Sequence, residues 1–160
     1  RRDRRMIVTE IEDCGSGKRK VYLDGQPVFV LYRGELSGCH IEKDQELPEA
    51  VYREIMDEIL WKRIRMRCLY LLKSMDRTEY QLRTKLKQNF YPEELIDRVI
   101  LWLENLHYLD DVRYAESYIR THGESLSTLQ LKQKLMRKGF SSSGVRKVLQ
   151  SGSEMQDEYS

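Results

Sequence analysis

Few side chains in this chain stand at spacings that could support catalysis or metal binding. The adjacent carboxylates of Asp110 and Asp111 could serve as an acid–base pair or hold a metal ion, but they stand directly before a helical pattern. Carboxylates at that position accept hydrogen bonds from the first backbone N–H groups of a helix and complement its dipole. We therefore interpret the pair as a helix cap.

The other candidates for chemistry also favour simpler interpretations. The histidines His40, His107 and His122 are scattered, and none stands at metal-ligand spacing from cysteines or carboxylates. Residues 15–18 resemble a phosphate-binding loop only weakly, because the first glycine is missing and Arg19 replaces Ser or Thr. We expect a turn there, no enzymatic activity, no metal and no cofactor.

A repeated pattern dominates the second half of the chain instead. Residues 78–86 return 49 residues later as residues 127–135. In each copy a hydroxyl residue is followed three positions later by Gln, which is the pattern of a capping box at a helix N-terminus. Two leucines at i and i+4 then form an apolar stripe with cations beside it.

Helical apolar spacing also precedes and follows each copy, so each unit consists of three short helices. Periods of this length indicate stacked helical units rather than one enclosed active site. We predict a first three-helix repeat with its lead-in helix at 48–106, and a second repeat at 107–150. Residues 151–160 are predicted to be a flexible tail or the start of a missing third repeat.

The first 47 residues differ from the rest, because Asp24-Gly25 separates two runs that favour β-strands, a strong hairpin signal. We predict a small antiparallel β element there, and a helix that opens at Pro48 and either runs into the first repeat or breaks near residue 60. The predicted fold class is therefore mainly α. Tandem three-helix, helix-turn-helix-like repeats form an elongated curved array, with a small N-terminal antiparallel β element.

Composition narrows the class of protein further. The chain is 40% hydrophobic and 34% charged, and no apolar stretch approaches the roughly 18 residues of a membrane span. No signal-peptide pattern is present, although the chain begins with Arg1 rather than Met, so the natural N-terminus could be missing. Three widely spaced cysteines favour reduced thiols. We expect a cytoplasmic monomer with no membrane partner.

Charge alternates in step with the repeats. Residues 60–90 hold nine basic and two acidic groups, and residues 119–150 hold seven and one. The segments 41–59 and 91–118 each hold two basic and seven acidic groups. Such a chain presents positive faces to a polyanion without being a bulk polycation, although ordinary solvated helix faces would give the same pattern.

Three segments resemble the RecX family of bacterial recombinase regulators. The most characteristic is Leu106-His107-Tyr108-Leu109-Asp110-Asp111-Val112-Arg113-Tyr114-Ala115, which is similar to the family segment that joins two three-helix units. Residues 70–86 and 131–140 are similar to further family motifs in the same order. Together the motifs cover about residues 64–150. Members usually carry a third unit, which is not found here.

The resemblance implies a regulator that binds the filament of RecA on single-stranded DNA, with weak and non-specific affinity for that DNA alone. It implies that the protein mainly inhibits RecA in DNA repair, recombination and the SOS response. The family-motif residues are expected to be structural; they are Leu109, Asp110, Asp111, Arg113, Tyr114, Ala115 and Gly139.

The contact residues are predicted to be the cations beside the apolar stripes. In the first repeat they are Arg63, Arg65, Arg67, Arg77, Arg83, Lys85 and Lys87. In the second repeat they are Lys132, Lys134, Arg137, Lys138, Arg146 and Lys147. Two alternatives stay open: a helix-turn-helix regulator of transcription that binds duplex DNA, and a scaffold that binds no DNA.

Overall fold

A four-stranded antiparallel sheet forms near the N-terminus of the computed structural model, which describes residues 5–159 and the side chains of residues 5–151. The strands are β1 (Met6–Gly15), β2 (Lys18–Leu23), β3 (Gln26–Tyr32) and β4 (Glu46–Leu47). Their order in the sheet is β3-β2-β1-β4. The predicted β element is confirmed, but the two-residue strand β4 is too short to have been recognised from its sequence.

The predicted hairpin joins β2 and β3 through Asp24 and Gly25. Both residues have positive φ, 49° and 82°, which is the backbone of the turn that matches strand twist. Because glycine adopts positive φ at little cost, Asp-Gly specifies this turn. Residues 16 and 17 form a similar turn between β1 and β2, so the Gly-Ser-Gly-Lys segment is part of a hairpin.

A continuous helical run follows the sheet. The short helix α1 (Arg33–Gly38) precedes β4, and α2 (Glu49–Glu54) then passes through a π-helical turn (Ile55–Leu60) into α3 (Trp61–Ser74). The backbone stays helical at Ile55 and at Trp61, where these segments meet. The lead-in helix therefore runs into the first repeat, which resolves the alternative that the sequence left open.

Five further helices complete the two predicted repeats. They are α4 (Glu79–Gln88), α5 (Glu93–Asn105), α6 (Asp111–His122), α7 (Thr128–Arg137) and α8 (Ser142–Tyr159). Helices α3, α4 and α5 form the first repeat, and α6, α7 and α8 form the second. The prediction of a mainly helical fold with tandem three-helix repeats and a small antiparallel sheet is thus confirmed.

The C-terminal segment is helical, because α8 continues to Tyr159, while Ser160 lies outside the described residues. The two alternatives for residues 151–160, a flexible tail or the start of a missing third repeat, stay a prediction.

Two compact units divide the chain differently from the predicted repeat boundaries. The sheet unit contains the chain through Cys68 together with Leu86–Val99, and the helical unit contains Leu69–Lys85 together with the chain from Ile100 onward. In the sheet unit the ring of Phe29 lies 6.3 Å from that of Tyr52, centroid to centroid, so β3 packs on α2. In the helical unit a buried cluster joins the three helices of the second repeat: Ala115, Leu135, Val145 and Val148.

Candidate docking surface

The two copies of the repeated pattern form the same local structure. The Thr78 hydroxyl accepts a hydrogen bond from the Gln81 N–H at 3.1 Å, and the Gln81 side chain accepts one from the Thr78 N–H at 3.0 Å. Ser127 and Gln130 form the same reciprocal pair at 3.2 and 2.9 Å. Each pair satisfies two backbone donors at a helix start, so both predicted capping boxes are confirmed.

The repeated leucines are interior residues in both copies. Leu82, Leu86 and Leu135 have no exposed surface, and Leu131 is 5% exposed. Burial of a leucine side chain contributes about 1.5–3 kcal/mol of transfer free energy. The apolar stripe of each middle helix therefore faces the protein interior, and in the second repeat Leu135 packs with Ala115, Val145 and Val148.

A hydrogen bond of Thr78 joins the first repeat to the second. Besides capping α4, its hydroxyl donates to the carbonyl oxygen of Lys138 at 2.6 Å, at the end of α7. Thr78 is fully buried. A buried hydroxyl that both accepts and donates carries no penalty for unmet hydrogen bonds. Because both bonds of Thr78 need α4 and the end of α7 in their observed positions, this residue favours that arrangement of the two helices.

The two carboxylates of the Leu-Asp-Asp motif cap two different helices. Asp110 accepts from the N–H of Arg113 at 3.1 Å and so caps α6, as predicted. Asp111 instead accepts from the backbone N–H of Glu79 at 2.9 Å, in the first turn of α4. The pair therefore fixes the start of the second repeat against the start of α4 and has a structural role.

Burial raises the pKa of the Asp111 carboxyl, and the nearby charges of Glu79 and Asp110 raise it further. The hydrogen bond from the Glu79 N–H acts in the opposite direction but does not outweigh them. The pKa of Glu104 is raised as well, first by burial and then by the charges of Glu79 and Asp111. Burial and the repulsion between neighbouring carboxylates therefore both favour the protonated forms of Asp111 and Glu104 at this junction.

The other family-motif residues also lie at structural positions. Gly139 has φ 102°, and a Cβ atom there would lie 2.1 Å from the Cβ of Tyr80. Ala115 is fully buried, and the ring of Tyr114 stacks on that of Phe140 at 6.3 Å between centroids. Arg113 donates to the carbonyl oxygen of His107 at 3.2 Å. Leu109 is 4% exposed.

Most of the predicted cations of the first repeat form hydrogen bonds or ion pairs within the protein. Arg63 pairs with Glu35 and donates to the carbonyl oxygen of Val30, and Arg83 pairs with Glu79 at 2.9 Å. The other three arginines donate as well. Their acceptors are the carbonyl oxygen of Trp61 for Arg65, the side chain of Asn89 for Arg67 and the carbonyl oxygen of Leu71 for Arg77.

The lysines of the first repeat are less constrained. Lys85 is half-buried, and Lys87 lies 3.9 Å from the carboxylate of Glu93 with both side chains exposed. An exposed pair at that distance contributes little and leaves the lysine available. In the first repeat, folding thus places carboxylates or neutral oxygen acceptors beside the arginines, whereas Lys85 and Lys87 are less occupied. The role of these seven cations as contact residues stays a prediction.

The predicted cations of the second repeat remain largely exposed. Lys134, Arg137, Arg146 and Lys147 are exposed, and Lys132 is half-buried. None of these five side chains forms a hydrogen bond or an ion pair within the part of the chain that the structure describes. We call these five residues the cationic surface. Lys138 differs, since its ammonium nitrogen lies 5.4 Å from the ring centroid of Tyr118 and 5.8 Å from that of Tyr114.

Sequence reasoning identified Asp111 but missed the contacts that join the two repeats. The partners in the Thr78–Lys138 and Asp111–Glu79 contacts are 60 and 32 positions apart, and no local pattern pairs them. None of the helices within residues 5–159 combines the length and the apolar character of a membrane span. Among the side chains of residues 5–151, no group of three or more His, Cys, Asp or Glu residues could hold a metal ion.

Tandem capped three-helix repeats define a helical-repeat protein. Two family models match these repeats: "RecX, first three-helix domain" over residues 65–103 and "RecX, second three-helix domain" over residues 110–149. The chain belongs to the RecX family of regulatory proteins.

Curated relatives agree with this assignment. The regulatory protein RecX of Clostridium acetobutylicum is 28% identical over 155 residues, which are 95% of this chain and 72% of that protein. The RecX of Levilactobacillus brevis is 32% identical over 136 residues, which are 83% of this chain and 51% of that protein. The chain thus spans about half of one relative and nearly three quarters of the other.

Solved structures show the same similarity. A crystal structure of regulatory protein RecX aligns over 91% of this chain and 73% of that one, with a TM-score of 0.57 and 28% identity. The crystal structure of RecX from Lactobacillus salivarius aligns over 56% of this chain and 59% of that one, with a TM-score of 0.54 and 26% identity.

Proposed function

We propose that this protein docks on the filament that RecA forms on single-stranded DNA and lowers RecA activity. It thereby regulates DNA repair, recombination and the SOS response. Membership of the RecX family supports a regulatory role. The cationic surface is the structural observation on which the proposed docking depends.

Uncompensated charge supports a role for the second repeat in binding. A cation already paired with a carboxylate must give up that partner before it can bind another, whereas the five side chains of the cationic surface need only release water and counterions. Contacts to phosphates release condensed counterions and gain affinity at low salt. The same side chains attract acidic protein surfaces and accelerate association.

The two repeats act together in this proposal. The Thr78 hydroxyl donates to the Lys138 carbonyl oxygen, and the Glu79 N–H donates to the Asp111 carboxylate. These two bonds hold the start of α4 at the end of α7 and at the start of α6. Weak contacts on linked modules gain affinity through effective concentration when the geometry lets both engage. A fixed junction between the repeats provides such a geometry.

RecA ATPase activity on single-stranded DNA tests this function. We expect the rate to fall as the protein is added, at ratios well below one protein per RecA. The triple variant K132E/K134E/R137E should lose this effect and keep its helix content. Lys138 is excluded from the variant, because its ammonium group lies near two aromatic rings, and removing it could disturb packing within the repeat.

The matched control is K43E/K73E/R120E, which changes the net charge equally at exposed cations outside the cationic surface. It should inhibit as the unmodified protein does. An ATPase rate that stays constant over a wide range of protein would refute the function. Inhibition by the folded triple variant would refute the site alone. Tight binding to one duplex sequence, with no effect on RecA, would favour a regulator of transcription instead.

A further inference from the structure

Over much of its length, the first strand of the sheet is paired on one side only. β2 pairs with β1 as far as Gly15, at the end of the strand. On the other side β4 pairs only with Met6 and Ile7, and residues 44 and 45 bond the backbone of Val8. Within residues 5–159, the second half of β1 is therefore a free edge of the sheet.

The hydrogen bonds of β2 alternate between its two neighbouring strands. At the end of the β2–β3 pairing, the Arg33 N–H donates to the carbonyl oxygen of Gly17 at 3.1 Å. Because successive residues of a strand bond to opposite sides, Arg19 turns its backbone groups to β3 and Lys20 turns them to β1. Lys20 is paired with Glu12, so the backbone groups of Glu12 point to β2.

The backbone groups of the neighbouring residues, Ile11 and Asp13, therefore point to the free edge. The Ile11 N–H donates to the Oε1 atom of Glu10 at 3.1 Å in an exposed position, rather than to another strand. Glu10, Glu12 and Asp13 are exposed, and Ile11 is half-buried. An extended peptide can bond to such an edge as one more strand of the sheet.

Carboxylates line the same edge. Glu10 forms no ion pair with any side chain of residues 5–151. Glu12 lies 3.6 Å from the ammonium group of Lys20, and Asp13 lies 3.0 Å from the guanidinium group of Arg19. The two acidic side chains nevertheless remain 51% and 68% exposed. On its paired side β1 thus already meets a basic strand, and its carboxylates keep an exposed side for a second one.

The charges disfavour a second copy of this chain at the edge. In an antiparallel pair of two β1 strands centred on Ile11, Glu10 of each copy would stand opposite Glu12 of the other. Like charges directly opposite one another destabilise a strand pair, whereas opposite charges stabilise it. Charged side chains protect edge strands against self-association, and here the negative sign leaves the edge open to a basic strand.

We propose that the free edge of β1 binds an extended basic segment of another protein as an added strand. Lys or Arg side chains of that segment lie opposite Glu10 and Glu12, and an apolar side chain lies opposite Ile11. Ile11 is paired with the fully buried Val21, so an apolar residue there continues the apolar face of the sheet. This surface lies in the sheet unit, goes beyond the proposed docking on RecA and does not depend on it.

A fluorescein-labelled peptide of alternating residues, Lys-Val-Lys-Val-Lys, tests the backbone pairing by fluorescence anisotropy. Its valines lie opposite Ile11 and Asp13 and supply the N–H groups that bond to β1, while the N–H groups of its lysines point away. N-methylation of both valines should weaken binding about 5- to 140-fold, the value of two backbone hydrogen bonds. N-methylation of the second and third lysines is the matched control and should leave the affinity unchanged. Both changes are in the peptide, so neither affects folding of the protein.

Reversal of one charge tests the side chains. E10K should weaken binding of the Lys-Val peptide about 2- to 30-fold, because it replaces an attractive cross-strand pair with a repulsive one. E124K makes the same change of charge at an exposed residue of the helical unit and should bind as the unmodified protein does. A Glu-Val-Glu-Val-Glu peptide should bind E10K more tightly than the unmodified protein.

Three outcomes of the peptide measurements would overturn the proposal. They are no binding of the Lys-Val peptide to the unmodified protein at low salt, equal binding of the valine-methylated peptide, and equal affinities of E10K and E124K. Self-association of the unmodified protein that the Lys-Val peptide disrupts would assign the edge to a second copy and would also overturn it. These measurements contain no RecA, so their failure leaves the ATPase test unaffected.

Discussion

Replacement of Gly139 by alanine should strongly destabilise the protein, because the new Cβ would lie 2.1 Å from the Cβ and 2.5 Å from the Cγ of Tyr80. The Cβ of Tyr80 is fixed to the backbone of α4, so no rotamer change relieves the overlap. Overpacking of this kind costs about 1–3 kcal/mol. A side chain at φ 102° adds about 1–2 kcal/mol.

The total expected loss is about 2–5 kcal/mol in the free energy of unfolding. For a chain of this size that loss lowers the melting temperature by about 4–20 °C. Urea unfolding followed by circular dichroism measures the free energy directly, and a thermal melt checks it. G34A is the control, because a Cβ at Gly34 meets no atom within 4 Å, and alanine there should be neutral or stabilise α1 by up to about 1 kcal/mol.

A double-mutant cycle with Y80G identifies the cause of the loss. Y80G removes the Cβ that the methyl group added by G139A would meet, so G139A should cost only the backbone strain of about 1–2 kcal/mol in that background. The reasoning is refuted if G139A alone unfolds within about 0.5 kcal/mol of the unmodified protein. An equal cost in both backgrounds would show that strain alone, and not the approach of α4 to the end of α7, requires the glycine.

Two further predictions concern the helical unit. L131A should lose about 2–5 kcal/mol of unfolding free energy, because Leu131 is only 5% exposed. L129A is the control, because Leu129 is 63% exposed and its replacement should change the free energy by less than about 0.5 kcal/mol. Equal melting temperatures for the two variants would contradict the observed packing of α7. The raised pKa of Asp111 means that its protonated form stabilises the fold at low pH, and that this contribution is lost as pH rises through the raised pKa. D111N keeps an acceptor for the Glu79 N–H without the charge, so its stability, measured by urea unfolding from pH 3 to pH 7, should decline less with pH. An equal loss at every pH would show that the charge is not involved.

Sequence patterns predicted those features whose residues are close in the chain. The capping boxes of Thr78 and Ser127 span three residues each, and the Asp-Gly turn spans two, so local chemistry specifies them. The pairing of Arg63 with Glu35 depends instead on two residues that are 28 positions apart, and only the folded chain brings α3 beside α1. For that reason the sequence could identify cations but could not show which of them are neutralised.

The position that ends the middle helix differs between the two copies of the repeat. At Gly139 the close approach of Tyr80 excludes a side chain, so packing of α4 on the end of α7 determines the residue. Phe90 stands at the equivalent position of the first copy with φ 62°, and His107 ends α5 with the same φ. A positive φ at a helix end therefore does not by itself require glycine in this fold. The glycine of the second copy is required by the contact with Tyr80, which is why the double-mutant cycle tests the contact rather than the backbone alone.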